Sequence, residues 1–127
     1  MDQKTYDKGL QVRTAVLGEE YVNKSIQGAD EFNKPFQELV TEYCWGAVWG
    51  RETLPLKTRS MLNLVMIATL NRPHELKLHI RGALRNGVTK DEIREIFMHL
   101  AIYAGVPAAV DSFRLAREVF NEDAAKK

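Results

Sequence analysis

Apolar residues along this chain recur three and four apart, the spacing that lines one face of an α-helix. No stretch alternates in the manner of a half-buried strand, and no internal repeat or low-complexity segment is present. Tyr6, Leu10, Arg13, Val16 and Leu17 set the series for a helix over 2–17 that ends at Gly18. Tyr21, Val22 and Ile26 predict a short helix within 19–28. Asp30 is the expected N-cap of a third, running through Phe32, Phe36, Leu39, Val40 and Tyr43. Pro35 falls in its first turn, where a missing amide proton is harmless. Periodicity then lapses over 44–51, which holds Trp45, Trp49 and two glycines. A helix opened by Leu54-Pro55-Leu56-Lys57 runs to Leu70, and its second half is apolar nearly all round, which predicts a central position.

The next helix is the most informative. Pro73 suits its first turn, and Asn86-Gly87 closes it, with Gly87 fit for the left-handed position after the last turn. Leu76, Ile80, Ala83 and Leu84 form its buried stripe. Glu75 and His79 are four apart and stack on one side, beside or within that stripe. Thr89 with Glu92 is a capping-box signature for a helix to about Ala104, with Ile93, Ile96, Phe97 and Leu100 inward. Gly105-Val106-Pro107 stops it and starts the last helix, 107–121, leaving a polar tail from Asn121 to Lys127 that is expected to fray. The pattern gives an all-α fold of five to seven helices in one domain over 1–127.

Composition narrows the function classes. The chain has 127 residues, 45% apolar and 28% charged, with a net charge of +1 and no long block of like charge. That balance gives no footprint for nucleic acid or for an anionic membrane surface. The most apolar run, 61–70, is about half the ~20 residues a membrane span needs, and the first residues carry no apolar signal region. A cytoplasmic location is the resulting expectation. The single cysteine, Cys44, allows no internal disulfide and no thiolate metal cluster. His74, His79 and His99 have no standard ligand spacing, so no metal is expected. So many apolar positions on a short chain are hard to bury in one subunit, which predicts a homo-oligomer.

Four groups of residues carry candidate chemistry. Glu75 and His79 read either as a helix-stabilising contact or as an acid/base unit in which Glu75 holds the tautomer of a part-buried imidazole. Glu95, His99 and Tyr103 form a second four-residue series, either a polar seam against a neighbouring helix or subunit, or donors into the same pocket. Trp45 and Trp49 are core or interface aromatics by default and pocket walls in the sharper reading. Arg59 lies in the first turns of a helix whose continuation is almost wholly apolar; it reads either as a rim cation or, by its fork, as a carboxylate binder, with Arg51, Arg72 and Arg81 as lesser candidates.

The run from Trp45 to Pro107 resembles the carboxymuconolactone decarboxylase family. The likeness rests on Trp45-Gly46-x-x-Trp49, Leu56-Lys57-Thr58-Arg59-Ser60, Glu75-Leu76-x-x-His79-x-x-Gly82-Ala83-Leu84-x-Asn86-Gly87-Val88-Thr89, and Glu92-Ile93-x-Glu95 leading to His99-x-x-x-Tyr103-Ala104-Gly105-x-Pro107. Gly9-Leu10-x-Val12-Arg13-x-x-Val16-Leu17-Gly18 extends it over nearly the whole chain. The resemblance implies an alkylhydroperoxidase-like helical array, assembled as a homohexamer, often a trimer of dimers. The redox members of that fold carry Cys-x-x-Cys-x-x-x-His where this sequence reads Arg72-x-x-Glu75-x-x-x-His79, so dithiol chemistry lacks its nucleophile.

What the resemblance implies for function is cofactor-independent decarboxylation of a small carboxylated lactone, γ-carboxymuconolactone, to β-ketoadipate enol-lactone in protocatechuate catabolism. The leaving carboxylate's electrons can flow through the ring double bond to the lactone carbonyl, so the substrate is its own electron sink. On that reading Arg59 binds a carboxylate, His79 stabilises the oxyanion or delivers the proton, and Glu75 orients His79. Trp45, Trp49, His99 and Tyr103 line the pocket. A related lyase on another small acidic lactone or β-keto acid, and a non-enzymatic helical oligomer, are the alternatives.

Overall fold

The computed structural model describes residues 1–125, with side chains through Glu122. Seven α-helices and one π-helical segment make up the described chain: α1 Gln3–Leu17, α2 Glu19–Gln27, α3 Lys34–Leu39, the π segment Val40–Val48, α4 Leu56–Thr69, α5 Pro73–Arg85, α6 Lys90–Tyr103 and α7 Val106–Ala125. They fall into two compact units, 1–56 and 57–127. No described helix is long and apolar enough to cross a membrane.

In the first unit α1 lies against the π segment, and glycines set how closely. A Cβ on Gly9 would stand 1.9 Å from the Thr41 carbonyl oxygen, and one on Gly46 would stand 2.3 Å from that of Thr5. Only bare backbone fits at this crossing. Arg13, 5% exposed, reaches across to donate from Nη1 to Thr41 Oγ1 at 3.1 Å. The Thr41 hydroxyl in turn donates to the Gln37 carbonyl.

Two expectations change here. The lapse in periodicity has a structural cause: backbone bonds over Val40–Val48 run five residues back, ending with Trp49 N to Cys44 O at 2.9 Å, so the 3.6-residue period no longer applies. Asp30 does not cap the third helix. Its carboxylate accepts from the Phe32 and Asn33 amides in the preceding turn, and Asn33 is the N-cap, with Pro35 in the first turn of α3.

The second unit closes around a core of Leu64, Ala68, Leu76, Ile80, Ala83, Val88, Ile93, Ile96, Phe97, Leu100, Leu115, Ala116 and Val119. The capping box at α6 forms in both directions, Glu92 N to Thr89 Oγ1 at 3.0 Å and Thr89 N to Glu92 Oε1 at 2.9 Å. Glu92 also meets Lys57 at 3.1 Å, tying the start of α6 to that of α4. Gly87 takes φ +90° after the Asn86 cap, the left-handed conformation that ends α5. Lys77 and Arg81 bind Glu118 and Glu122 of α7, which aligns α5 with α7. Helix α7 continues to Ala125, past the expected stop at Asn121, and Lys126 and Lys127 lie outside the described residues.

Candidate functional site

A buried polar seam runs between α4 and α5 in the second unit. Residues 59, 60 and 63 of α4 fall on adjacent faces of that helix, because three- and four-residue steps nearly complete a turn. Ser60 is 1% exposed and accepts from Asn86 Nδ2 at 2.8 Å. Asn63 Nδ2 lies 3.3 Å from His79 Nδ1. His79 itself is 8% exposed, on the turn of α5 that also buries Leu78 and Ile80. Burial pushes its pKa down from 6.5 to about 4, so at neutral pH the ring is uncharged. Arg59, half-buried, stands one turn before Asn63 on the same side of α4.

Glu75 is exposed, and among the described residues no hydrogen bond joins it to His79. The spacing that suggested this pair was right for proximity along the helix, but the His79 ring turns into the α4 seam. Asn63 holds the place at Nδ1 that the carboxylate was expected to take.

His99 and Tyr103 stack on each other at 5.0 Å between ring centroids, on the exposed side of α6. His99 lines an apolar groove of about 520 Å³ with Met61, Leu62 and Val65, rimmed by Asp91, Arg94 and Glu95. On α4, Leu62 stands one turn after Arg59 while Met61 and Val65 face away from it, and the groove's lining includes His99 but neither His79 nor Tyr103. Trp45 and Trp49 belong to the first unit, where both are buried, their rings 4.7 Å apart and tilted by 32°. Trp49 also borders a cavity of about 270 Å³ with Lys8, Arg51 and Leu54.

Of the lesser candidate cations, Arg81 donates from Nε and Nη2 to one oxygen of Glu122, Oε2, and Arg72 donates to the Leu70 and Asn71 carbonyls. Burial raises the Cys44 thiol pKa, the opposite of what a reactive thiolate needs.

Sequence reasoning missed Ser60 and Asn63. In the sequence Asn63 falls inside the most apolar run, 61–70, and Asn86 reads only as a helix end. The available signal was that a polar side chain inside a helix apolar nearly all round must find a partner in the interior.

An all-helical chain with a buried imidazole on a polar helix–helix seam defines a class of small helical proteins equipped for acid/base or electrostatic chemistry. The comparisons place it within that class. The family model described as "Carboxymuconolactone decarboxylase family" matches residues 34–118, and the chain belongs to that family. It is 43% identical over 121 residues to a 4-carboxymuconolactone decarboxylase of Acinetobacter baylyi, covering 95% of this chain and 90% of that protein. It is 42% identical over 122 residues to a nitrosuccinic acid decarboxylase of Metarhizium robertsii, covering 96% and 85%.

Proposed function

We propose that this chain is a cofactor-independent carboxy-lyase converting γ-carboxymuconolactone (4-carboxymuconolactone) to β-ketoadipate enol-lactone. The observation that carries the reading is the 43% identity, over 95% of the chain, to an enzyme named for that substrate. The α4–α5 seam supplies a physical rationale. Loss of the γ-carboxylate sends an electron pair through the ring double bond to the lactone carbonyl, giving a dienolate that is protonated at the α carbon. The protein must hold the second carboxylate and stabilise the developing oxyanion.

Arg59 is assigned to the carboxylate, since its planar fork matches that group. His79 is assigned to the oxyanion. With a pKa near 4 it is a neutral N–H donor at pH 7, and in a dry setting such a donor stabilises developing charge without having to lose a proton. Glu75, exposed one turn earlier, is assigned to relaying a proton from solvent to carbon. His99 and Tyr103 are proposed to contact substrate from the α6 groove, and Trp45 and Trp49 to act as apolar contacts.

The second reading is favoured by the nitrosuccinic acid relative. A nitro group on the carbon that bears the leaving carboxylate is also an electron sink, and both substrates carry a second carboxylate. The test is to supply each substrate to the metal-free protein and follow carbon dioxide release with product identification. Release from the lactone far above its spontaneous rate is expected. A higher kcat/KM on nitrosuccinate would transfer the assignment, and no acceleration of either by folded protein would end it.

We also propose a homo-oligomer, a hexamer on the family resemblance. Ile102 is 79% exposed, and with Met98, Val106, Val110 and Phe113 it lines an open apolar groove on α6 and α7. Leu62, Met66 and Leu70 are exposed on α4. Apolar surface of this extent is uncommon on a monomer. Sedimentation velocity should show an assembly that Ile102→Asp reduces in mass; a monomeric wild type would contradict this.

A further inference from the structure

We propose that Asn63 is a positioning residue for His79, setting the tautomer in which Nδ1 accepts and Nε2 carries the proton. The proposal rests on the role given to His79 above and names the group that makes the ring a donor rather than a base.

Asn63 is an unusual residue for its place. The helix around it reads Leu62, Leu64, Val65, Met66 and Ile67, and asparagine there has poor helix propensity and an amide that is costly to bury unsatisfied. Its partner is sixteen residues away on another helix, so the contact is tertiary and does nothing for α4 itself. The amide nitrogen can only donate. At 3.3 Å from Nδ1 it requires a lone pair on that nitrogen, because an Nδ1–H would point at another N–H. With the amide nitrogen facing Nδ1, the proposal assigns the imidazole proton to Nε2.

The identity of the partner matters as much as its position. A carboxylate, the usual group that orients a histidine, accepts from Nδ1–H, raises the ring's basicity and leaves Nε2 as a base. An amide donor reverses that polarity. It lends the ring no negative charge and puts the ring proton on Nε2, the form an oxyanion requires and a proton-abstracting base does not. Glu75 at the same place would have made the other device.

A second bridge limits how the two helices can rotate. Asn86 donates to Ser60 at 2.8 Å, three residues before Asn63 on α4 and seven after His79 on α5. Two polar bridges at different heights along the seam hold the Asn63 amide in register with the ring, where one alone would permit pivoting.

The test uses the full-length protein with 15N-labelled histidine at a fixed neutral pH, read by long-range proton–nitrogen correlation spectra without substrate. The chain has 3 histidines, and His79→Gln assigns the signal. In wild type, Nδ1 of His79 should resonate as an unprotonated nitrogen and Nε2 as a protonated one. Asn63→Asp keeps the shape but replaces the donor with an acceptor, and should move Nδ1 to the protonated position. Its kcat should fall about 10–100-fold with KM changed less than about threefold. Asn63→Leu, which suits the apolar helix and serves if the aspartate variant does not fold, should lose the fixed tautomer and show a similar fall. A wild-type proton on Nδ1 would overturn the proposal. So would an Nδ1 that stays unprotonated in folded Asn63→Asp, or a tautomer switch that leaves kcat unchanged. Because the ring is read without substrate, failure of the decarboxylase reading shows separately, as absent turnover in a wild type whose tautomer is as stated.

Discussion

Replacing His79 with alanine is expected to lower kcat by about 10²–10⁴-fold, roughly 3–5 kcal/mol of transition-state stabilisation. The size follows from where the ring sits. A neutral N–H donor exchanged for water in an exposed site changes little, but this imidazole is 8% exposed, and a dry donor aimed at developing charge is not replaced by solvent. The alanine variant also loses stability, since it leaves a void and strands the Asn63 amide, together on the order of 1–3 kcal/mol. His79→Gln, which keeps a polar group in the seam, should therefore retain more stability than alanine while losing most of the turnover. Turnover within a few-fold of wild type in either variant would move the chemistry away from this histidine.

The same ring gives a pH signature that needs no substrate. Its folded pKa of about 4 lies below the ordinary 6.5, so as pH falls through 6.5 the unfolded chain takes up a proton that the folded protein refuses. The part of the stability linked to this ring should therefore be lost as pH falls from 6.5 to 4 and change no further below that, on the order of 3 kcal/mol. Carboxylates such as Glu92 and Glu122, whose pKa values are lowered by the Thr89 amide and by Arg81 respectively, add their own acid sensitivity. The difference between wild type and His79→Gln isolates the histidine contribution. Parallel urea midpoints at pH 7 and pH 4.5 measure it, and equal losses in both proteins would mean the ring is hydrated and titrates normally.

Most helices were legible because their ends are chemical. Thr89 and Glu92 cap α6 as their spacing predicts, Pro73 opens α5, and Gly87 closes it with a positive φ. Such signals are local, decided within four residues, so one sequence suffices. The π segment was not legible in the same way: its lost period was visible, but five-residue hydrogen bonding has no residue signature comparable to a cap. The candidate site was half legible. Burial of His79 followed from its neighbours Leu76, Ile80 and Ala83, whereas its partner did not, because spacing along α5 offers Glu75 while the ring's rotamer faces α4. His99 and Tyr103 show the same limit, since four-residue spacing put them on one side of α6 without saying which neighbour that side meets.

Replacing Gly9 with alanine is expected to be the most destabilising small substitution in the first unit. The added carbon would lie 1.9 Å from the Thr41 carbonyl oxygen and 2.8 Å from the Gly46 nitrogen. Both are backbone atoms, so no side chain can swing aside, and α1 must move away from the π segment as a body. Overpacking of this kind costs about 1–3 kcal/mol and more where nothing yields, so ~3 kcal/mol or more is expected here. Separation would also weaken the Arg13–Thr41 bond, exposing part of a cation that is now 5% exposed. Gly87→Ala is the informative comparison: with φ +90° and nothing within 4 Å, it meets backbone strain alone, about 1 kcal/mol. The chain's 2 tryptophans, Trp45 and Trp49, both lie on or beside the π segment, so their emission reports this crossing directly. Urea titration followed by tryptophan emission should show a far lower midpoint for Gly9→Ala than for Gly87→Ala, with emission already shifted to the red before denaturant. Equal midpoints and an unshifted spectrum would mean that α1 and the π segment do not meet backbone to backbone.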